Sequence, residues 1–301
     1  MDAKRCEEEF MKTIEEFIEE EELVAIKGFM DIYSNDDGST YFLKLDEDDL
    51  NKQFLYFSYI MNAPQASAQT GGRPSNGKVL EFRNFKKEKI GLYQINTSYI
   101  NKNKNNNISK SSLTNITEAF VEVFKPSAKT GNSVLINVNS ILLSEKMDSI
   151  SYVPSEYREY ISVNYGNQDE SKTFVRNVFN NKTNTAFEVT FAYENRMPNI
   201  NAFSVESVTD PRYLSVTARH IFIEMPDDRF EPRVNDHRVG YFVNKSTDLT
   251  SYDNFPNFAL INKWRLIKKN PDAEMSEPEE PIVFWVENTT PGEIVAAVIA
   301  G

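Results

Sequence analysis

Cysteine occurs once in this chain of 301 residues, at Cys6, so no intramolecular disulfide framework can staple the fold. Histidine is nearly as scarce. Only His220 and His237 are present, neither with a second histidine four residues away, which excludes a helical H-E-x-x-H zinc site. No run of about 18 apolar residues offers a membrane-spanning helix. The opening MDAKRCEEEF lacks the basic-then-apolar pattern of a secretory leader. Positive charge is short too. Against 45 Asp and Glu stand 33 Lys and Arg, and the net −12 argues against nucleic acid or an anionic membrane as a general partner. Residues 1–22 hold ten of the acids and three of the bases, so the rest of the chain is only mildly acidic.

Other chemical signatures fail on inspection. The double glycine at 71–72 is followed by no G-K-[ST], so it is not a phosphate loop. The acidic run at 46–49 lacks the central glycine and alternating oxygens of a calcium loop, and reads as a helix start with Asp46 as N-cap. Ser204 and Ser215 occur in the same region as His220, but no strand-to-helix nucleophile elbow accompanies them. No catalytic, cofactor-binding or metal-binding residue is therefore assigned, and no cofactor is expected in this chain.

What is abundant is aromatic. With 40% hydrophobic residues, 21 Phe and 14 Tyr, the composition predicts a β-rich α+β protein of antiparallel sheets and hairpins. An acidic amphipathic helix is expected within residues 1–24, where Phe10, Met11, Ile14, Phe17 and Ile18 gather on one face. A small β domain follows at 25–66. It includes a hairpin turning at Gly38 and an aromatic strand at 54–61. The Gly/Ser/Ala/Pro-rich stretch 67–77 reads as a flexible linker, and 78–268 as the main β-rich domain. Within that domain, hairpins are expected around 86–89 and 180–184, with a mobile excursion near 147–157 and a clean strand at 213–224. Residues 269–280 read as a second linker. The run PIVFWVE reads as a strand buried on both faces, and Thr290-Pro291 as a helix start.

The stretch 225–242, MPDDRFEPRVNDHRVGYF, is dense in proline, arginine and aspartate. Two readings fit it: a polar surface turn, or a buried Arg/Asp network pinning two layers. Pro232, Arg233, Asp236, Arg238, Gly240, Tyr241 and Phe242, with Trp264, Arg265 and Pro281 downstream, are the candidate structural or interdomain residues. Together with NKWRLIKK and EPEEPIVFWVENTTPGEIVAAVIAG, this stretch resembles the segment leading into the catalytic domain of a bacterial family of exported, zinc-dependent, metzincin-like metalloproteases. Met225 stands where that family usually has leucine. The chain from about Lys27 onward is more loosely similar to the paired N-terminal domains of unknown function in the same proteins.

The resemblance implies a non-catalytic N-terminal region. Residues 281–301 would be the first strand and partial helix of a truncated α/β peptidase domain. Zinc would belong to that absent domain, the partner would be the downstream catalytic domain of the same polypeptide, and the location would be periplasmic, cell-surface or secreted. The alternative is a freestanding β-rich glycan- or peptide-binding module with an aromatic platform at 54–59 or at Tyr241-Phe242. A third reading is an enzyme using Asp236, His237 and either a nearby arginine or Glu231.

Overall fold

A computed structural model describes residues 11–67, 69, 71–101, 107–227, 229–251 and 256–300. Cys6, Phe10 and Asp228, with the first part of the expected N-terminal helix, lie outside the described residues. In chain order the strands are β1 (Val24–Ile26), β2 (Asp31–Ser34), β3 (Tyr41–Leu45), β4 (Gln53–Asn62), β5 (Lys78–Phe85), β6 (Lys89–Gln94), β7 (Tyr99–Ile100) and β8 (Ala119–Phe124). They continue with β9 (Pro126–Thr130), β10 (Ser133–Asn137), β11 (Asn167–Gln168), β12 (Phe174–Asn180), β13 (Asn184–Glu194), β14 (Tyr213–Glu224), β15 (Val243–Asp248) and β16 (Asn257–Ile261). The helices are α1 (Ile14–Glu20), α2 (Asn107–Ser112), α3 (Asn139–Leu142) and α4 (Gly292–Ala300).

The chain divides into two units, Met1–Thr97 with Leu113–Met225, and Ser98–Ser112 with Pro226–Gly301. In the first unit a five-stranded sheet of order β1-β2-β3-β10-β9 accompanies an eight-stranded sheet of order β11-β13-β14-β4-β5-β6-β8, with β12 beside β13. All pairings in both sheets are antiparallel. The larger sheet curls as a half-barrel. Only Lys125 separates β8 from β9, so the chain passes from one sheet to the other almost without a break.

Period-two alternation explains the layering. On β3, Tyr41, Leu43 and Leu45 join the main core while Phe42 joins a second one; on β10, Val134 and Ile136 go to the main core and Leu135 to the second. The main core lies against the larger sheet through Tyr56, Leu80, Phe82, Leu92, Phe187, Phe191, Val216 and Phe222. The second core is closed by α1, whose Ile14, Phe17 and Ile18 pack on it, the same stripe that the sequence predicts. Thr13 caps that helix: its hydroxyl accepts from the Glu16 amide, and the Glu16 carboxylate accepts from the Thr13 amide. Each fully buried side chain of this size contributes about 1.5–3 kcal/mol of burial free energy.

The hairpins fall where turn chemistry puts them. Gly38 has φ +67 between β2 and β3, and Lys87 and Glu88 at φ 56 and 60 form the tight turn between β5 and β6. Three expectations need correction. Within the expected linker 67–77, residues 72–75 are tied to β4: the Ile60 amide donates to the Arg73 carbonyl, the Gly72 amide to Ile60 and the Ser75 amide to Ser58. This segment prolongs the β4–β5 pairing, and strands from both 25–66 and 78–225 contribute to each of the two sheets, so no boundary falls between them. The excursion near 147–157 is anchored by buried Met147, Ile150 and Val153. Residues 269–280 fold back inside the second unit, with the Lys269 amide donating to Glu277 and the Glu279 amide to Ile267.

The second unit contains the sheet β16-β15-β7, in which β15 pairs antiparallel with β16 and parallel with β7. Residues 281–287 join no strand ladder, so the strand expected for PIVFWVE is not formed within this unit. Without a neighbour to bond its amides and carbonyls, an apolar run does not become a strand. The helix after Pro291 does form, as α4.

Asn180 clamps the β1–β2 turn in the first unit. Its Nδ2 donates to the Ile26 and Met30 carbonyls at 2.6 and 2.7 Å, and its Oδ1 accepts from Thr185 at 2.7 Å. A Cβ on Gly28 would lie 2.2 Å from that Oδ1. Asn180→Ala is expected to cost about 1–3 kcal/mol in urea unfolding by leaving buried carbonyls unpaired. Gly28→Ala should cost a similar amount by evicting the amide, and the double variant no more than the larger single change. Additive losses would disprove the clamp.

Candidate functional site

The motif residues of the second unit are not a buried network. Pro232, Arg233, Arg238, Gly240, Tyr241, Phe242, Trp264 and Pro281 are exposed, and Asp236 and Arg265 half-buried. Arg238 grips Asp236 two residues back, with Nε 3.0 Å from Oδ1, a local turn contact. Residues 233–235 run beside β16, where the Asn235 amide donates to Ala259 and the Ile261 amide to Arg233. A Cβ at Gly240 would meet nothing within 4 Å, so local space does not demand glycine there.

The ion pairs that do join distant segments centre on Asp227. Arg229 donates through Nε to Asp227 at 2.9 Å and holds Glu279 with both Nη atoms at 2.8 and 2.9 Å, while Arg265 pairs with Asp227 from the other side. Hydrogen bonds from Arg229 and Arg265 hold the Asp227 carboxyl far below the usual carboxylate range. Arg265 and, from the Arg/Asp stretch 225–242, Asp227 and Arg229 belong to this network; Glu279 carried no sequence signal. Apolar side chains of this unit are also exposed. Trp264 meets Phe284 edge-on at 6.3 Å, Phe284 and Trp285 are 79% and 91% exposed, and Val298 and Ile299 of α4 are exposed as well.

The first unit holds a different kind of site. On β4, Phe54, Tyr56, Ser58 and Ile60 share the buried face, so the aromatic platform expected at 54–59 is split between core and surface. Cross-strand from Ser58, β14 delivers His220, which is 1% exposed. The Tyr56 hydroxyl lies 2.7 Å from His220 Nδ1, and the ring is flanked by Tyr56 and Phe191. Its Nε2 is buried with no hydrogen-bond partner. Ser58 donates to the Asp148 carboxylate, and Lys78 lies over the Tyr56 ring and donates to the Met147 carbonyl. The result is a polar column running His220–Tyr56–Ser58–Asp148 out of an otherwise apolar core.

That column opens at a cleft of about 740 Å³ whose lining includes Ser58, Arg73, Lys78, Asp148, Tyr152 and Tyr157. Burial pulls the His220 imidazole down to about 4, with Asp148 pulling back and Lys78 adding to the drop. Burial lowers Lys78, opposed by Asp148, and pushes the Tyr56 phenol up, reinforced by Asp148. Of these residues the sequence marks His220, a lone histidine in an alternating strand. Asp148, 90 residues from Ser58, carried no signal. Among the described residues no three His, Cys, Asp or Glu side chains gather where they could hold a metal ion.

The family model described as a domain of unknown function (DUF5117) matches residues 72–269, from the extension of β5 through β16 and beyond. No curated protein and no solved structure matches the chain.

The column predicts an acid limb of stability. The unfolded imidazole takes a proton near pH 6.5 while the folded one resists until about 4, so this contribution is complete above 6.5 and is lost as pH falls through that window. The loss should reach about 3 kcal/mol at the bottom of the window. In urea unfolding between pH 7.5 and 4, His220→Phe should show a shallower acid decline than the parent chain. Equal slopes would show that the imidazole is not held neutral.

Proposed function

This chain belongs to the family of domains of unknown function DUF5117, and we propose, on the resemblance of its later segments and on its exposed apolar residues, that it is a non-catalytic accessory region of a zinc-dependent metalloprotease. In this reading the second unit docks against the peptidase domain and positions or regulates it. The observation that carries the reading is the exposed apolar surface of Trp264, Phe284, Trp285 and α4. Large aromatic side chains in water are costly to leave uncovered, and clusters of them mark contact surfaces. The resemblance of 225–242, 264–268 and 281–301 to the segment leading into a metzincin-like catalytic domain supports a peptidase domain as the partner. The Asp227–Arg229–Arg265–Glu279 pairs serve the same end by fastening Arg265, before the 269–280 excursion, and Glu279, near its end, to Asp227 and Arg229.

The two tryptophans of the chain, Trp264 and Trp285, both lie on this surface, so its contacts are directly observable. The isolated chain should emit as solvent-exposed indole and be fully quenched by iodide. Adding a zinc-peptidase domain of the H-E-x-x-H type, encoded with this chain, should shift emission to the blue and protect it. Trp285→Glu should weaken that association by about thirtyfold, the loss of one aromatic anchor of roughly 2 kcal/mol. A titration that leaves both indoles exposed would overturn the assignment.

A further inference from the structure

We propose that the cleft beside β4 in the first unit is a binding site for an oligosaccharide, separate from the docking surface of the second unit. Its size suits such a ligand, since about 740 Å³ lies within the roughly 300–1,000 Å³ typical of small-molecule pockets. Both walls are held in place. One is the segment 72–76, hydrogen-bonded along β4; the other is the 147–161 loop, pinned by buried Met147, Ile150 and Val153.

The lining mixes both signs. Arg73, Lys78 and Asp148 border the cleft together, so it offers charge-assisted donors and an acceptor side by side. A sugar hydroxyl both donates and accepts, and can satisfy each of them. The ammonium has three protons and gives one position to the Met147 carbonyl; the carboxylate uses one oxygen for Ser58. The Ser58–Tyr56–His220 column beneath holds Asp148 in a fixed orientation, as a pre-organised hydrogen-bonding group requires.

At the rim, Tyr152 and Tyr157 are 62% and 61% exposed, although the loop carrying them is anchored in the core. Exposed tyrosine faces on a rigid loop offer flat apolar surface to the C–H face of a pyranose and a hydroxyl to its edge. An extended peptide is disfavoured. It would need unpaired main-chain groups to add as a strand, and the β4 groups on this side are already engaged by Arg73, Gly72 and Ser75.

Calorimetric titration of the full chain with maltohexaose, laminarihexaose and chitohexaose tests the proposal. At least one should bind with Kd below about 1 mM. Tyr152→Ala and Tyr157→Ala should each weaken binding by about tenfold without moving the thermal midpoint, because both side chains are exposed. Asp148→Asn should weaken it too, and tryptophan emission should stay unchanged, since both indoles belong to the other unit. No binding of any of the three at about 10 mM would overturn the proposal. So would binding that survives both tyrosine changes, or a preference for an extended peptide.

Discussion

A β-sheet that is apolar on both faces must be covered twice, and the first unit is the consequence of that requirement in β3 and β10. Tyr41, Leu43 and Leu45 alternate with Phe42, and Val134 and Ile136 alternate with Leu135, so neither face of the five-stranded sheet can meet water. The curled eight-stranded sheet covers one face and α1 the other. The one-residue passage from β8 to β9 keeps the two sheets in fixed relation. The Asn180 clamp adds a second tie between the β1–β2 turn and the tip of the β12–β13 hairpin.

Into this apolar interior the chain places a file of polar groups, and burial makes each of them depend on the next. His220 is neutral because the surroundings cannot solvate its cation, and its Nδ1 is satisfied only by Tyr56. Ser58 turns to Asp148, which belongs to a loop that folds back across the sheet. The cleft exists because that loop is held by three buried side chains while its tyrosines remain outside. A buried polar file is costly to build for stability alone, which is why its exit into a cleft is informative.

The second unit is organised by different forces. None of the buried hydrophobic side chains among the described residues belongs to it. Its order comes from one small sheet, from backbone hydrogen bonds along 233–235 and 267–279, and from exposed ion pairs around Asp227. Exposed pairs contribute little individually, and here they act as a network that joins three stretches of chain. Among the described residues, Tyr99, Tyr241, Phe242, Trp264, Phe284 and Trp285 lie outward as a consequence.

The sequence by itself determined the elements whose causes are local. Alternation placed β14, and continuous apolar or aromatic runs placed β3, β4 and β10; turn residues placed the hairpins at Gly38, 86–89 and 180–184; the Ile14, Phe17 and Ile18 stripe and the Thr13–Glu16 box placed α1. The helix after Pro291 also follows from its own residues. Only the tertiary structure decided what depends on distant partners. Residues 67–77 look flexible from their Gly, Ser and Pro content, yet β4 supplies the hydrogen bonds that tie residues 72–75 to its sheet. The run PIVFWVE has the composition of a strand and no neighbour to pair with. Asp148 meets Ser58 across 90 residues, and the Arg/Asp readings of 225–242 were separated only by how much protein surrounds them. Burial and pairing partner are properties of the folded chain, and no local pattern encodes them.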